Sequence, residues 1–362
     1  MKNKNVDGNR FGAANINVRN RNWNITKTLE PIDKEHWHGL FVAAQNDHLV
    51  ETGLSVPQLH QIEARQARSN IVTFPGRTFK VLSWNLREGS KLDELWSIPH
   101  FRSADILLLN EVDMGMARSG NRHLAREIAN HLGYSYAYVV DYLEDTIGTH
   151  RQRKQCRGRV NDYGFSGKAI ISRYPLLNVR GIRLPETYST LRDTRRRIGS
   201  SVVLMADIRT SQGQMTLAVV QLSGRGNPLF RRLQMSVMMD RLPLLQPCLI
   251  GGDFNTHTLD GSRSWSYGNI PWYFMQDTQR FKTPQRYEPL FKFMMESGFR
   301  FSYFNDHNAT WHAPYMGSLL KSRLDWFCGS SLIPLHSESV PALDDKGRRI
   351  IDRDGIWLEC RP

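Results

Sequence analysis

The stretch Leu249–Asn255, L-I-G-G-D-F-N, decides how the rest of the chain is read. A short apolar run leads into a glycine pair, then a carboxylate and a carboxamide two positions apart. Alternation along an extended strand end would point Asp253 and Asn255 to one side, and Gly251 and Gly252 let backbone or ligand approach closely. A phosphate ester and its attacking water need such a pair. Aspartate holds or deprotonates the water, and asparagine donates to a phosphate oxygen. The competing reading is a plain Gly-Asp-Phe-Asn turn after a buried strand.

Other pieces fit the chemical reading. Lys80–Asn85 (K-V-L-S-W-N) is an apolar strand ending in an amide, and Ile106–Glu111 (I-L-L-L-N-E) is one ending in a carboxylate. Arg323–Trp326 reads R-L-D-W, and Ile351–Trp357 reads I-D-R-D-G-I-W. Each sets a polar residue at the edge of an apolar strand, where α/β folds keep their chemistry. In this order and at these separations the set resembles the endonuclease/exonuclease/phosphatase superfamily, metal-dependent phosphoesterases that include deoxyribonucleases, abasic-site endonucleases, deadenylases, sphingomyelinases and inositol polyphosphate phosphatases. The resemblance spans residues 76–362 and is more specific for fold than for substrate.

Strands and helices interleave after Phe79. Short strands are expected at Val81–Trp84, Ile106–Leu109, Tyr134–Val140, Ala169–Ser172, Ser201–Ile208, Met215–Leu222, Leu249–Ile250, Leu324–Cys328 and Ile356–Glu359. Helices are expected over Asn121–Leu132, stopped by Gly133, and from Pro228 to Leu244. Sheets must cover their apolar faces, which favours an α/β sandwich. The resemblance refines this to a four-layered α/β sandwich: two facing mixed β-sheets with helices outside.

Ahead of this domain, residues 1–28 are rich in Asn, Arg and Lys and are expected to lack packed structure. Residues 29–75 form a lead-in, with Trp37, Leu40, Phe41, Leu49, Leu54, Leu59 and Ile62 spaced for two or three short helices. A Thr73–Arg77 turn joins it to the domain at residues 76–362. Four scattered cysteines give neither a disulfide framework nor zinc spacing. The N-terminus lacks an apolar signal, and no run of about 18 apolar residues occurs. A cytoplasmic protein is the resulting expectation.

A net charge of +13, with basic clusters at His150–Arg159 and Arg192–Arg197, suits a polyanion, and nucleic acid (DNA or RNA) is the commonest one in a cell. Anionic lipid surfaces would be drawn by the same charges. No G-x-x-x-x-G-K-[ST] loop or H-E-x-x-H occurs, and Gly224-Arg225-Gly226 is too short for a dinucleotide fingerprint.

The resemblance implies roles. Glu111 is the best ligand for Mg²⁺ or Mn²⁺, which prefer carboxylate oxygen; Asn85 supports the metal or a phosphate oxygen, and Asp352 is a second carboxylate near it. Asp253 positions or deprotonates the water and Asn255 binds phosphate. Three departures stand out. Ile351-Asp352-Arg353 replaces a terminal Ser-Asp-His, Gln221 stands where a second histidine is usual, and Lys168 replaces an asparagine. Arginine and glutamine shuttle no proton near neutral pH. Arg353, paired with Asp325, would then clamp phosphate, with Lys168 and Gln221 as further phosphate contacts. The reading is a Mg²⁺-dependent nucleic-acid phosphodiesterase, its activity reduced by these replacements. A catalytically impaired binding protein and a hydrolase of lipid or small phosphate esters are the alternatives.

Overall fold

The computed structural model describes residues 23–45, 55–67, 78–186, 194–243, 246–257, 279–315 and 318–362. Its strands are β1 (Asn24–Thr26), β2 (Gln61–Arg65), β3 (Phe79–Asn85), β4 (Ile106–Met114), β5 (Ser135–Glu144), β6 (Phe165–Ser172), β7 (Leu177–Arg183) and β8 (Arg197–Gly199). There follow β9 (Val202–Thr210), β10 (Gly213–Gln221), β11 (Cys248–Asp253), β12 (Trp311–Tyr315), β13 (Ser318–Ser322), β14 (Asp325–Ser330), β15 (Ile333–Val340) and β16 (Gly355–Arg361). One mixed sheet runs β1-β2-β5-β6-β4-β3-β16-β15, with β8 beside β5; a second runs β14-β11-β10-β9-β7; β12 and β13 form a separate hairpin.

Period-two alternation builds the layers. On β4, Ile106 and Leu108 face the second sheet and pack with Val81, Leu204, Leu217, Val219, Leu249 and Phe327. Leu107 and Leu109 face outward and pack under Phe101, Leu124 and Ile128, as alternate Cβ directions require. The far side of the second sheet, through Met205, Ala218 and Ile250, is covered by Met235, Met238, Leu290 and Phe291 from the helices Pro228–Met239 and Pro289–Glu296. Two sheets face to face with helices outside is the four-layered sandwich expected.

The helix Leu124–Leu132 begins three residues later than expected, because the His123 side chain accepts the Arg126 N–H and caps it; it stops at Gly133 in the left-handed conformation. The helix from Pro228 ends at Met239 rather than Leu244.

The lead-in differs more. Lys34–Gln45 is helical, whereas Pro57–His60 is a single 3₁₀ turn and Ile62 lies in β2, which pairs with β5 and joins the main sheet. Residues 23–28, within the extension expected to lack structure, contribute β1. Residues 1–22, Leu49, Leu54 and the Thr73–Arg77 turn lie outside the described residues.

Candidate active site

Strands β3, β4, β10, β11 and β14 bring their polar ends to one edge of the sandwich. At β11, Gly252 adopts φ +145, and an added Cβ would lie 2.0 Å from the Val220 carbonyl oxygen. Only glycine lets β10 and β11 pack there, and this fixes Asp253 opposite both Gln221 and Asp325. The strand ends at Asp253. Asn255 follows with φ +50, so the strand alternation expected to align the two does not reach it. Instead the Asn255 backbone N–H donates to Asp253 Oδ1 at 3.0 Å. Asp253 is fully buried, whereas Asn255 lines the cavity.

Glu111 reaches the same edge by a bulge. The β4–β6 register shifts between Asn110 and Val112, leaving Glu111 as the extra residue at φ +52. A bulge re-aims a side chain and costs strain. Glu111 Oε1 accepts from Asn85 Nδ2 and from Gln221 Nε2, each at 2.8 Å. Its other oxygen, Oε2, is buried and accepts no hydrogen bond. Burial pushes this carboxyl up, but Arg87, helped by Arg195 and Arg353, leaves it below its ordinary range.

Arg353 is the hinge of the carboxylates. One guanidinium nitrogen lies 2.9 Å from Asp253 Oδ2 and the other 3.3 Å from Asp325 Oδ2. The expected Asp325–Arg353 pair is therefore present, but Asp253 is the nearer partner. Thr310 donates to Asp325 Oδ2 at 2.7 Å, while Asp325 Oδ1 is buried without a hydrogen bond. Burial, then the neighbouring charge of Asp253, raises Asp325 to about 7. Burial raises Asp253 too, against the pull of Arg353.

A stability test follows. The unfolded chain loses the Asp325 proton near pH 3.8, while the folded protein keeps it to about 7. The folded state therefore binds more protons in that window, and its stability falls as pH rises through it. Asp325→Asn cannot titrate, so the variant's melting temperature should decline less between pH 4 and 7 than the wild type's. An equal decline would refute the raised pKa.

A cavity of about 340 Å³ opens onto this edge, lined by Arg87, Glu111, Gln221, Asn255, Arg353 and the Ser223–Arg225 loop, and also by Asp141, Ser201, Arg195 and Arg197. The expected site residues thus divide. Glu111, Gln221, Asn255 and Arg353 face the cavity; Asn85, Asp253 and Asp325 stand behind them. Asn85 donates to Glu111 and, at 3.1 Å, to Asp253, while its Oδ1 accepts the Arg87 N–H. It orients two carboxylates and has no group turned to a phosphate. Lys168, expected to contact phosphate, is fully buried, 2.5 Å from Asp141 Oδ2 and 3.0 Å from Ser201 Oγ. Its role there is to hold Asp141, not to meet a ligand. Asp352 Oδ1 receives Arg87 Nε at 2.8 Å.

The basic clusters are partly committed to the protein itself. Arg195 pairs with the buried Glu88 and Glu144, and Arg196 with Asp145 at 2.9 Å. Arg197 stacks over the Tyr142 ring at the cavity wall. Arg192 lies outside the described residues. His150 is exposed at a helix start. His257 Nε2 lies 2.8 Å from the Gly224 carbonyl oxygen, and burial beside Arg231 pushes its pKa well down. His307 and His312 line a different cavity. Among the described residues, no histidine lines the candidate site.

Sequence reading missed Arg87, Asp141, Ser201 and Arg225. Arg225 had a signal in the Gly-Arg-Gly loop, which is too short for a dinucleotide fingerprint but sets an arginine at the cavity. Arg87, two residues past Asn85, had none.

Glu111 Oε2 is the observation that bears on a metal. Among the described residues no group of three His, Cys, Asp or Glu side chains is placed to hold an ion. Mg²⁺, however, needs only one or two carboxylates and keeps its remaining waters. Glu111, with a buried oxygen lacking a partner, meets that demand, and Asp352, held by the same Arg87 but not among the residues lining the cavity, would be the second carboxylate.

One solved structure shares the fold, and others are similar. An endonuclease/exonuclease/phosphatase from Beutenbergia cavernae matches with a TM-score of 0.51 at 15% identity, covering 79% of this chain and 72% of that one. The human Nocturnin catalytic domain with bound sulfate gives 0.48 at 16% identity, over 78% and 94%. An AP endonuclease from Archaeoglobus fulgidus gives 0.46 at 14% identity, over 77% and 98%. No curated protein sequence matches the chain. The family model described as Endonuclease/Exonuclease/phosphatase family matches residues 82–345, well over half of the sequence, and the chain belongs to that family.

Proposed function

We propose that this protein is a divalent-metal-dependent phosphodiesterase acting on nucleic acid. Members of its family are hydrolases of phosphoesters. The observation that carries the finer reading is the convergence of Glu111, Gln221, Asn255 and Arg353 with further arginines on one cavity, backed by Asp253. Glu111 and Asp352 would hold Mg²⁺ or Mn²⁺. When bound, the ion polarises the phosphate and offsets developing negative charge.

The chain's own residues do the rest. Asn255 keeps its amide on the Leu222 carbonyl at 2.8 Å, which leaves one N–H for a phosphate oxygen. Arg353 moves from Asp253 onto the phosphate and stabilises its charge. That exchange frees Asp253 Oδ2 to accept a proton from the attacking water, and a carboxylate raised by burial is the better base. No lining residue carries an imidazole, so protonation of the leaving oxygen falls to water and turnover is slow. The same observation favours the second reading, a phosphate- or nucleic-acid-binding protein without turnover. A cytoplasmic address belongs to the proposal: the four cysteines are all buried and unpaired. No helix among the described residues is long and apolar enough to cross a membrane.

The test is a hydrolysis screen of purified protein against DNA, RNA, bis-p-nitrophenyl phosphate and lipid phosphodiesters with Mg²⁺ or Mn²⁺. Cleavage of DNA or RNA supports the proposal; cleavage of lipid or small esters alone moves the substrate class. Nucleic-acid affinity should also fall with salt, by roughly 0.9 log unit per phosphate neutralised for each log unit of salt on duplex DNA. Arg197 and Arg225 line the cavity, so Arg197→Ala with Arg225→Ala should flatten that slope by up to about 2. An unchanged slope would remove these arginines from the interface.

A further inference from the structure

We propose that Arg87 is a tethered cation that competes with the divalent metal for Glu111 and Asp352, and that it passes to the substrate phosphate when the metal enters. This rests on the metal-dependent reading above. Arg87 Nε is 2.8 Å from Asp352 Oδ1, and its NH1 is 4.0 Å from Glu111 Oε2. Its guanidinium thus stands between the two carboxylates that fit a metal. At 4.0 Å it supplies charge to Glu111 Oε2 without a hydrogen bond, so that oxygen stays available to a ligand that can coordinate it.

The loop below is fixed, and the side chain is the part open to the cavity. Arg87 and Glu88 both hold positive φ, at +48 and +68, a conformation that persists only where the surroundings enforce it. They do so here. The Arg87 N–H donates to Asn85 Oδ1, and Glu88 is buried under Arg118, Arg195 and Gln152. Against the burial that would raise it, the charges of Arg118 and Arg195 and the Gln152 hydrogen bond hold its carboxyl at about 2. By contrast the Arg87 side chain is 42% exposed and lines the cavity. It can therefore rotate away from Asp352 while its backbone stays in place. A guanidinium matches phosphate oxygens in a bidentate fork as well as it matches carboxylates, so a phosphate in the cavity offers Arg87 an equivalent partner. Metal and phosphate would then enter together, each relieving what the other's absence leaves unbalanced.

Mn²⁺ titration of the full chain, read by electron paramagnetic resonance of the free ion, tests this without turnover. Arg87→Ala and Arg87→Gln should each bind Mn²⁺ about ten-fold more tightly than wild type, within the usual range of coupling between sites. Inorganic phosphate should raise Mn²⁺ affinity more in wild type than in either variant. If both variants bind Mn²⁺ no more tightly, while Glu111→Ala abolishes binding, Arg87 is no competitor and the metal reading stands. An equal effect of phosphate in all three chains overturns the transfer to phosphate. If no chain binds Mn²⁺, the metal reading and this proposal fall together.

Discussion

Arg353→His should increase metal-dependent phosphodiester hydrolysis, by up to the roughly 10²–10⁴-fold that a positioned general acid or base contributes. Asp325 and its Thr310 donor already form a buried cradle at this position, and an imidazole there can carry the proton that arginine cannot. The same substitution takes the guanidinium off Asp253. Arg353→Ala removes the counter-charge and returns nothing. Two buried carboxylates, at 0% and 1% side-chain exposure, would then share no cation. Breaking a buried pair in this way costs about 3–5 kcal/mol. The alanine variant should melt well below wild type, and calorimetry at pH 7 measures it. If Arg353→Ala loses the wild-type activity while Arg353→His gains none, arginine's stabilisation of the phosphate outweighs the missing proton carrier, and the account of a slowed enzyme fails.

Glu111→Ala should abolish both metal response and hydrolysis. An ion that binds only the folded state stabilises it by about 2.7 kcal/mol at a hundred times its dissociation constant, so wild-type protein should melt at a higher temperature in millimolar Mg²⁺ or Mn²⁺. The variant lacks the buried Oε2 and should show no such shift. Its hydrolysis should fall by about 10²-fold or more, since the ion supplies several kcal/mol of charge stabilisation and each 1.36 kcal/mol is tenfold. Asn85 and Gln221 would lose their acceptor, so a baseline melt without metal separates that structural cost from the metal effect. A wild-type melting temperature insensitive to divalent ions would remove Glu111 from its role.

The two sheets were legible because their strands alternate or run apolar between turn signals: β3, β4, β10 and β11 fall where the pattern puts them. β2 was hidden by Glu63, a fully buried carboxylate in the middle of the strand. It is satisfied by His123, Arg126, Tyr136 and the Leu29 N–H, partners up to 73 residues away that no local window contains. β15, with H-S-E-S at its centre, is an edge strand whose residues before Val340 are exposed or half-buried, so it carries little periodicity.

At the site, residue type pointed to the right cluster but not to its depth. Asn85 and Lys168 read as ligand contacts because amide and ammonium suit phosphate chemistry. Each has its polar atoms taken by neighbouring side chains or backbone instead. Glu111 was found as a strand end, although the strand continues to Met114 and a bulge presents it. Bulges depend on the partner strand and leave no mark in the sequence of their own.

On the proposed function, this cavity hydrolyses phosphodiesters with a metal ion and Asp253. The most direct test is the rate of bis-p-nitrophenyl phosphate hydrolysis by purified protein across a Mn²⁺ titration, with Asp253→Asn prepared in parallel. A rate that saturates with metal, vanishes with chelator and is lost in Asp253→Asn is the predicted result. Wild-type hydrolysis equal to that of Asp253→Asn at every metal concentration would contradict it.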